Sequence, residues 1–273
     1  MRNYSKTIGA LAAASTLVAG YASAELEGEV HVGYHNMYEF RFVDLGQDLI
    51  EAGADVGMTF GDFGVSAGVW YASSDVPVAL LGGNTKINFD ELDLYTGVSY
   101  SIGDLTLEAG YIYYYFPDTG TVAGLLGLGT SNTQEVYVGA SYDFSFGLSV
   151  GSTWYYDFDA NNGWYWDTSI GYTVELMECL DLELTGGIAF ADGLGTQVSS
   201  RIGSVGTADG FQGYYLQAAL PWEFRENVTL TPYVRYTAAE GDLATDVINA
   251  AIGGTGRGGQ DYLVSGVSLA VGF

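Results

Sequence analysis

The stretch Val264–Phe273 reads VSGVSLAVGF. Phe273, Val271, Leu269 and Val267 fall on every second position, and the small residues Gly272, Ala270 and Ser268 fill the gaps. A period of two is the signature of a β-strand with one apolar face. No residues follow to cover that face, so its cover must be another sheet or lipid.

The same alternation runs back through the chain. Apolar faces recur as Val30/Val32/Tyr34, Ala52–Phe60, Val65–Tyr71, Leu92–Tyr100, Leu105–Tyr115, Val136–Phe144, Leu148–Tyr156, Trp166–Val174, Leu180–Phe190, Tyr214–Trp222 and Val228–Tyr236. With the terminal stretch these make twelve segments. The connections alternate between short turns (near 61–63, 101–104, 145, 175–179 and 223–227) and long loops (near 38–50, 73–88, 116–133, 157–163, 191–210 and 238–260). Five short turns and six long loops are what twelve up-and-down strands require when both ends lie on one side. Short inner turns and long outer loops are the pattern of outer-membrane barrels.

The aromatics decide between lipid and a second sheet. On the apolar parity, Phe60, Tyr100, Tyr142, Phe144, Tyr172, Trp222 and Phe273 lie beside short turns. Tyr71, Tyr113, Tyr115, Trp154, Tyr156, Trp166, Phe190, Tyr214 and Tyr236 lie beside long loops. Strand middles of that parity carry Val, Leu, Ile and Ala. A sandwich core would place its large rings in the middle; two rings of aromatics mark two membrane interfaces. The expected fold is therefore all-β: a transmembrane antiparallel up-and-down β-barrel of about 12 strands, within a range of 10–14.

Residues 1–24 read as a secretory signal peptide: Arg2 and Lys6, an apolar run from Thr7 to Gly20, then Ala22-Ser23-Ala24. Residues 25–273 are expected to form a single barrel domain in the outer membrane of a Gram-negative cell. The whole chain has a formal charge of −25, from 33 acids against 8 bases, which excludes nucleic acid as a partner. Its 48% apolar content argues against disorder. The one cysteine, Cys179, cannot form an internal disulfide.

The opposite parity faces the lumen and is rich in Gly, Ser and Thr. It also carries Asp55, Asp93, Glu108, Glu135, Asp167, Asp181 and Glu183 against one clear base within a strand, Arg235, with Arg41 near the rim of the first loop. Carboxylates in excess are tolerated where water reaches them and favour cations. Two readings stay open: a pore for passive diffusion of small hydrophilic solutes, cations preferred, or a barrel plugged by its large inward rings or an infolded loop, serving as an adhesin or structural anchor.

No enzymatic activity and no cofactor are expected. His31 and His35 lie four residues apart on the inward face of strand one, roughly 13 Å along the strand, too far to share one ion. Asp157, Asp159 and Asn161 begin like an acidic calcium loop, but Thr168 stands where a glutamate would complete it, so a tight hairpin is the expectation there. The Gly-rich runs 124–129 and 253–259 lack the strand–helix context of a phosphate loop.

Several stretches resemble a known family: Tyr38–Gly46 (YEFRFVDLG), the run EAGYIYYYFPDTG with Pro117, and Asn132–Asp159, together with the signal and Phe273. They resemble the Gcw_chp-type outer-membrane barrels of the porin kind. Where that family has a Phe-Arg-Gly-like step, this chain has Phe40-Arg41-Phe42. The resemblance implies a membrane barrel and brings no substrate. A last strand ending on an aromatic residue resembles the signal read by the barrel assembly machinery. The expected partners are thus outer-membrane lipid, that machinery and small solutes, with the protein a monomer or a weak oligomer.

Overall fold

The computed structural model describes residues 26–78, 85–117, 132–194, 208–240 and 261–273. The expected signal segment, both Gly-rich runs and parts of four outer loops lie outside the described residues.

Thirteen strand segments form one sheet: β1 (Leu26–Phe40), β2 (Val43–Phe60), β3 (Phe63–Val78), β4 (Thr85–Ile102), β5 (Leu105–Tyr115), β6 (Thr133–Asp143), β7 (Leu148–Asp157), β8 (Gly163–Met177), β9 (Leu180–Leu194), β10 (Ala208–Ala219), β11 (Trp222–Arg225), β12 (Val228–Ala239) and β13 (Asp261–Gly272). β10 and β11 both pair with β9 and β12, so they are one stave interrupted at Leu220–Pro221. Pro221 has no N–H to give to a ladder, which accounts for the break there. The result is a closed antiparallel barrel of twelve staves, as the alternation predicts.

Closure answers the question raised by the terminal stretch. β13 pairs with β12 on one side and with β1 on the other, from Glu29↔Gly272 to His35↔Gly266. The Gly28 and Phe273 backbones exchange N–H···O bonds of 2.9 Å in both directions. The Phe273 ring lies over Gly28, where a Cβ would come within 2.5 Å of it. From Gly28 to His35 the first and last strands leave no edge unpaired, as a bilayer without water demands.

The exterior carries the apolar parity. Val32, Ile50, Leu94, Val98, Val138, Ile170, Leu184, Leu216 and Val267 are all exposed. In a water-soluble protein such a surface would be an aggregation face; on a closed barrel it is the lipid contact. Aromatics frame it. Trp154 stacks on Trp164 and Trp166, and Trp166 on Phe190, in the outer ring. Phe63 meets Tyr100, Tyr142 meets Phe144, and Trp222 meets Phe224 in the inner ring. From Trp164 to Tyr172 along β8, with a rise of about 3.4 Å per residue and a tilt near 40°, the band is roughly 20 Å tall. The protein is an outer-membrane barrel.

One expected loop is not a loop. Residues 38–50 read in sequence as a long outer connection; instead β1 and β2 continue to Phe40 and Val43 and turn in two residues, Arg41 and Phe42, both at positive φ (49° and 68°). The inner turns fall as expected, with exposed Cys179 in the one between β8 and β9.

Candidate functional site

The β1–β2 hairpin does not stand up from the rim. Its pairing with β13 ends at His35, where Asn36 takes over with its side chain: Nδ2 donates to the Leu263 carbonyl, and Oδ1 accepts from the Ser265 N–H. β2 shifts register against β3 between Gln47 and Ile50, around Asp48 at φ 53°, and the β1–β2 ladder shifts between Tyr38 and Glu39. Bulges bend strands. Beyond these points the tip folds into the bore.

Its contacts circle the lumen. The Tyr38 hydroxyl donates to Glu91 Oε2 on β4 at 2.7 Å, and its ring packs on Trp70 of β3 and Phe89 of β4. Phe40 meets Tyr114 of β5 edge-on. Arg41 Nη1 and Nη2 donate to the two oxygens of Glu135 on β6 at 2.7 and 2.6 Å. The same guanidinium lies 4.8 Å from the Tyr155 ring centre on β7 and 4.6 Å from that of Tyr165 on β8. Phe42 packs on Tyr215 of β10 and against Gly213, where a Cβ would come within 2.8 Å of its ring. Glu39 Oε2 accepts from Thr237 on β12 at 3.0 Å and faces Arg235 Nε at 3.1 Å. One hairpin that reaches eight segments spread round the barrel has its tip inside the bore.

The outer half of the bore is therefore packed. Phe42 and Tyr215 are each 1% exposed, and Tyr38, Ile112, Tyr114, Phe116, Tyr165 and Val264 are buried with them. Some of the polar groups here are paired: Arg41 with Glu135, Arg235 in ionic contact with Glu39, and Tyr114, whose hydroxyl donates to Glu135 Oε2 at 2.9 Å; Arg235 Nη1 and the Tyr262 hydroxyl are buried without a hydrogen-bond partner. Arg235 also lies 3.7 Å over the Tyr215 ring, a cation–π contact sheltered from water.

The candidate lumen residues divide by depth and partner. Glu135 and Arg235 hold the tip directly. Asp93 is buried on β4, two residues from Glu91. Asp167 accepts a long bond, 3.4 Å, from Tyr215. Asp55 accepts from the Tyr95 hydroxyl at 2.5 Å on the β1 side of the wall. Glu108, Asp181 and Glu183 are half-exposed in the inner half, among small residues such as Ser66, Ser99, Ser141 and Thr229. Glu108 lies across the space a side chain at Gly139 would need. Asp157 sits at the outer end of β7, where it caps its own loop: Oδ1 accepts from the backbones of Asp159 and Asn161, and Oδ2 from the Thr133 hydroxyl and the Asn161 amide.

Two inward His–acid pairs line β1 and β2. His35 is buried, with Nε2 3.0 Å from Glu51 Oε1 and Nδ1 2.7 Å from the Tyr233 hydroxyl; Trp70 Nε1 donates to the other Glu51 oxygen. His31 Nδ1 lies 3.6 Å from Asp55 and 3.9 Å from Glu29. Sequence reasoning passed over Glu39 and Glu51. Extending the β2 alternation back from Asp55 points to Glu51. Glu39 carried no such signal, because it falls in the segment expected to be a loop.

No protein-family model matches the chain, and no curated protein matches its sequence. Among solved structures, an outer membrane channel from Pseudomonas putida F1 has a TM-score of 0.53 at 10% identity, over 93% of this chain and 97% of that one. The KdgM porin (11% identity) and the NanC porin (12%) each score 0.48, covering 90% and 89% of this chain and 99% and 98% of theirs. At such identities the likeness is one of fold: the barrel is of the kind that outer-membrane channels use.

Proposed function

We propose that the chain is a porin-like channel for passive diffusion of small hydrophilic solutes, with cations preferred, whose bore is held closed by the tip of its own β1–β2 hairpin. The observation that carries this reading is the contrast between the two halves. The inner half has a wall of Gly, Ser and Thr with the half-exposed acids Glu108, Asp181 and Glu183. A wall built only to be filled would not leave carboxylates among small residues, because an ionised carboxylate desolvated without a partner costs far more than the roughly 2–7 kcal/mol of a neutral polar group. Among the described residues, the outer half is shut by the hairpin tip, through the packing of Tyr38, Phe40 and Phe42 and a few polar contacts.

Acids outnumber bases on the described lumen wall, and a wall with that bias repels anions. Planar-bilayer recording in a salt gradient tests the selectivity: a reversal potential on the cation side supports it, and an anion-side value rejects it. The paired β13 ending on Phe273 suits a role as the segment recognised during barrel assembly, and this forms part of the same proposal.

A second reading has its own support. The complete pairing of Arg41 with Glu135 suits a permanent plug, which would make the barrel a structural anchor or adhesin displaying its outer loops. In that case no conductance would follow from releasing the tip.

A further inference from the structure

We propose that Glu29, His31 and Asp55 form a binding site for one divalent transition-metal ion of the zinc kind on the inner part of the lumen wall. Glu29 and His31 are i and i+2 on the inward face of β1, and Asp55 is the direct cross-strand partner of Glu29 on β2. One donor atom from each lies within 4.8 Å of the others. The imidazole Nδ1 faces both carboxylates, at 3.6 Å to Asp55 and 3.9 Å to Glu29. Both distances exceed a hydrogen bond, so the imidazole is in ionic range of both carboxylates without being hydrogen-bonded to either. They approach the edge of about 3.4 Å that ligands at roughly 2.1 Å from a tetrahedral ion would share.

The surroundings are shaped for these side chains. His31 stands opposite Gly53, and a Cβ there would come within 2.4 Å of the imidazole; the missing side chain lets the ring lean toward Asp55. Across β3, a Cβ at Gly68 would strike Asp55 Oδ1 at 2.4 Å and the Tyr95 ring at 2.3 Å. The cradle thus holds Asp55 and Tyr95 together. The Tyr95 hydroxyl donates to Asp55 Oδ1 at 2.5 Å and leaves Oδ2 turned to His31, the arrangement of an outer group that orients a metal-binding carboxylate.

The donor set chooses the ion. Calcium and magnesium take all-oxygen shells, whereas an imidazole with two carboxylates suits zinc and its first-row neighbours. The Asp55 side chain is 3% exposed and that of Glu29 48%, so one ligand is fixed and another is mobile at the edge of the site. Water would fill the remaining position.

The experiment is calorimetric titration of zinc chloride into the folded full-length barrel in detergent, with millimolar magnesium present to occupy diffuse acidic sites. It reads binding directly and does not depend on conduction. One ion per chain is expected, with saturable binding lost in His31→Gln and weakened about tenfold or more in Tyr95→Phe, which keeps all three ligands. Folding is checked by the change in gel mobility on boiling. If His31→Gln does not fold, Glu29→Gln at the exposed ligand takes its place with the same expected loss. Unchanged zinc binding in the folded ligand variant, or a wild-type isotherm abolished by magnesium, overturns the proposal.

Discussion

Arg41, at the turn between β1 and β2, grips both carboxylate oxygens of Glu135 on β6, across the lumen, at 2.7 and 2.6 Å. Both side chains are nearly inaccessible to solvent, at 7% and 1% exposure. A bidentate, aromatic-caged pair at the end of a two-residue turn makes the hairpin tip a wedge fastened at its point. Removing one partner of such a buried pair leaves the other charge stranded, at a cost of about 3–5 kcal/mol. The cost falls first on the docking of the tip, because the barrel ladder does not pass through Arg41. Arg41→Ala is expected to make the tip accessible to protease while the heat-modifiable barrel persists. Glu135→Gln should do the same, and the double variant should cost less than the two single effects added. Strict additivity would show that the pair is not coupled.

Lipid and water meet adjoining parts of the same sheet. Leu216 lies between Tyr214 and Trp222 on the exterior and is 58% exposed, whereas Thr229 faces the inner lumen. An arginine on the lipid face near mid-membrane costs about 2–4 kcal/mol. Leu216→Arg is therefore expected to lower the denaturant midpoint of the barrel in lipid vesicles, with Thr229→Arg near neutral. The reverse order would invert the assignment of inside and outside.

The seam between the first and last strands has a steric test. Gly28 accommodates the Phe273 ring where a Cβ would lie 2.5 Å from it. Overpacking of this kind costs about 1–3 kcal/mol. Gly28→Val should lower the unfolding temperature of the folded barrel, and Phe273→Ala added to it should recover part of the loss. If the double variant is less stable than Gly28→Val alone, the ring is not the obstacle.

Selectivity should follow the inner acids. Glu108 and Glu183 stand half-exposed among small lumen residues and hold none of the tip contacts described above. Glu108→Gln with Glu183→Gln is expected to move the reversal potential of the channel's openings toward zero in a potassium chloride gradient without changing how often the tip releases. No movement would mean that the selectivity, if present, is set elsewhere.

Much of this was legible in the sequence because two solvents write the same code on every strand. Val32, Val138 and Leu216 face lipid and Gly57, Ser141 and Thr185 face inward, as period two demands. The girdles were legible because rings at Trp154 and Trp166 on one side and Tyr100 and Tyr172 on the other avoid the strand centres. The wedge was not. Two-residue hairpins ordinarily announce themselves with Asn-Gly or Asp-Gly, which tolerate positive φ; here Arg41 and Phe42 adopt it, and both are residues that rarely do. Their conformation is fixed by what they touch, Glu135 and Tyr155 for one and Tyr215 for the other, and those partners lie roughly a hundred residues or more away. Arg41 therefore read as a rim residue and Glu39 did not register. Extending the β2 alternation to Glu51 would have found the His35 partner.

The central claim is that, among the described residues, the β1–β2 tip is what closes the bore. The direct measurement is single-channel recording of the wild-type barrel beside a variant in which residues 38–45 are replaced by a short Asn-Gly turn, both reconstituted from folded protein. The account predicts brief or rare openings for the wild type and long cation-selective openings for the shortened variant. A folded variant that stays as silent as the wild type, or a wild type already open to the same conductance, would contradict it.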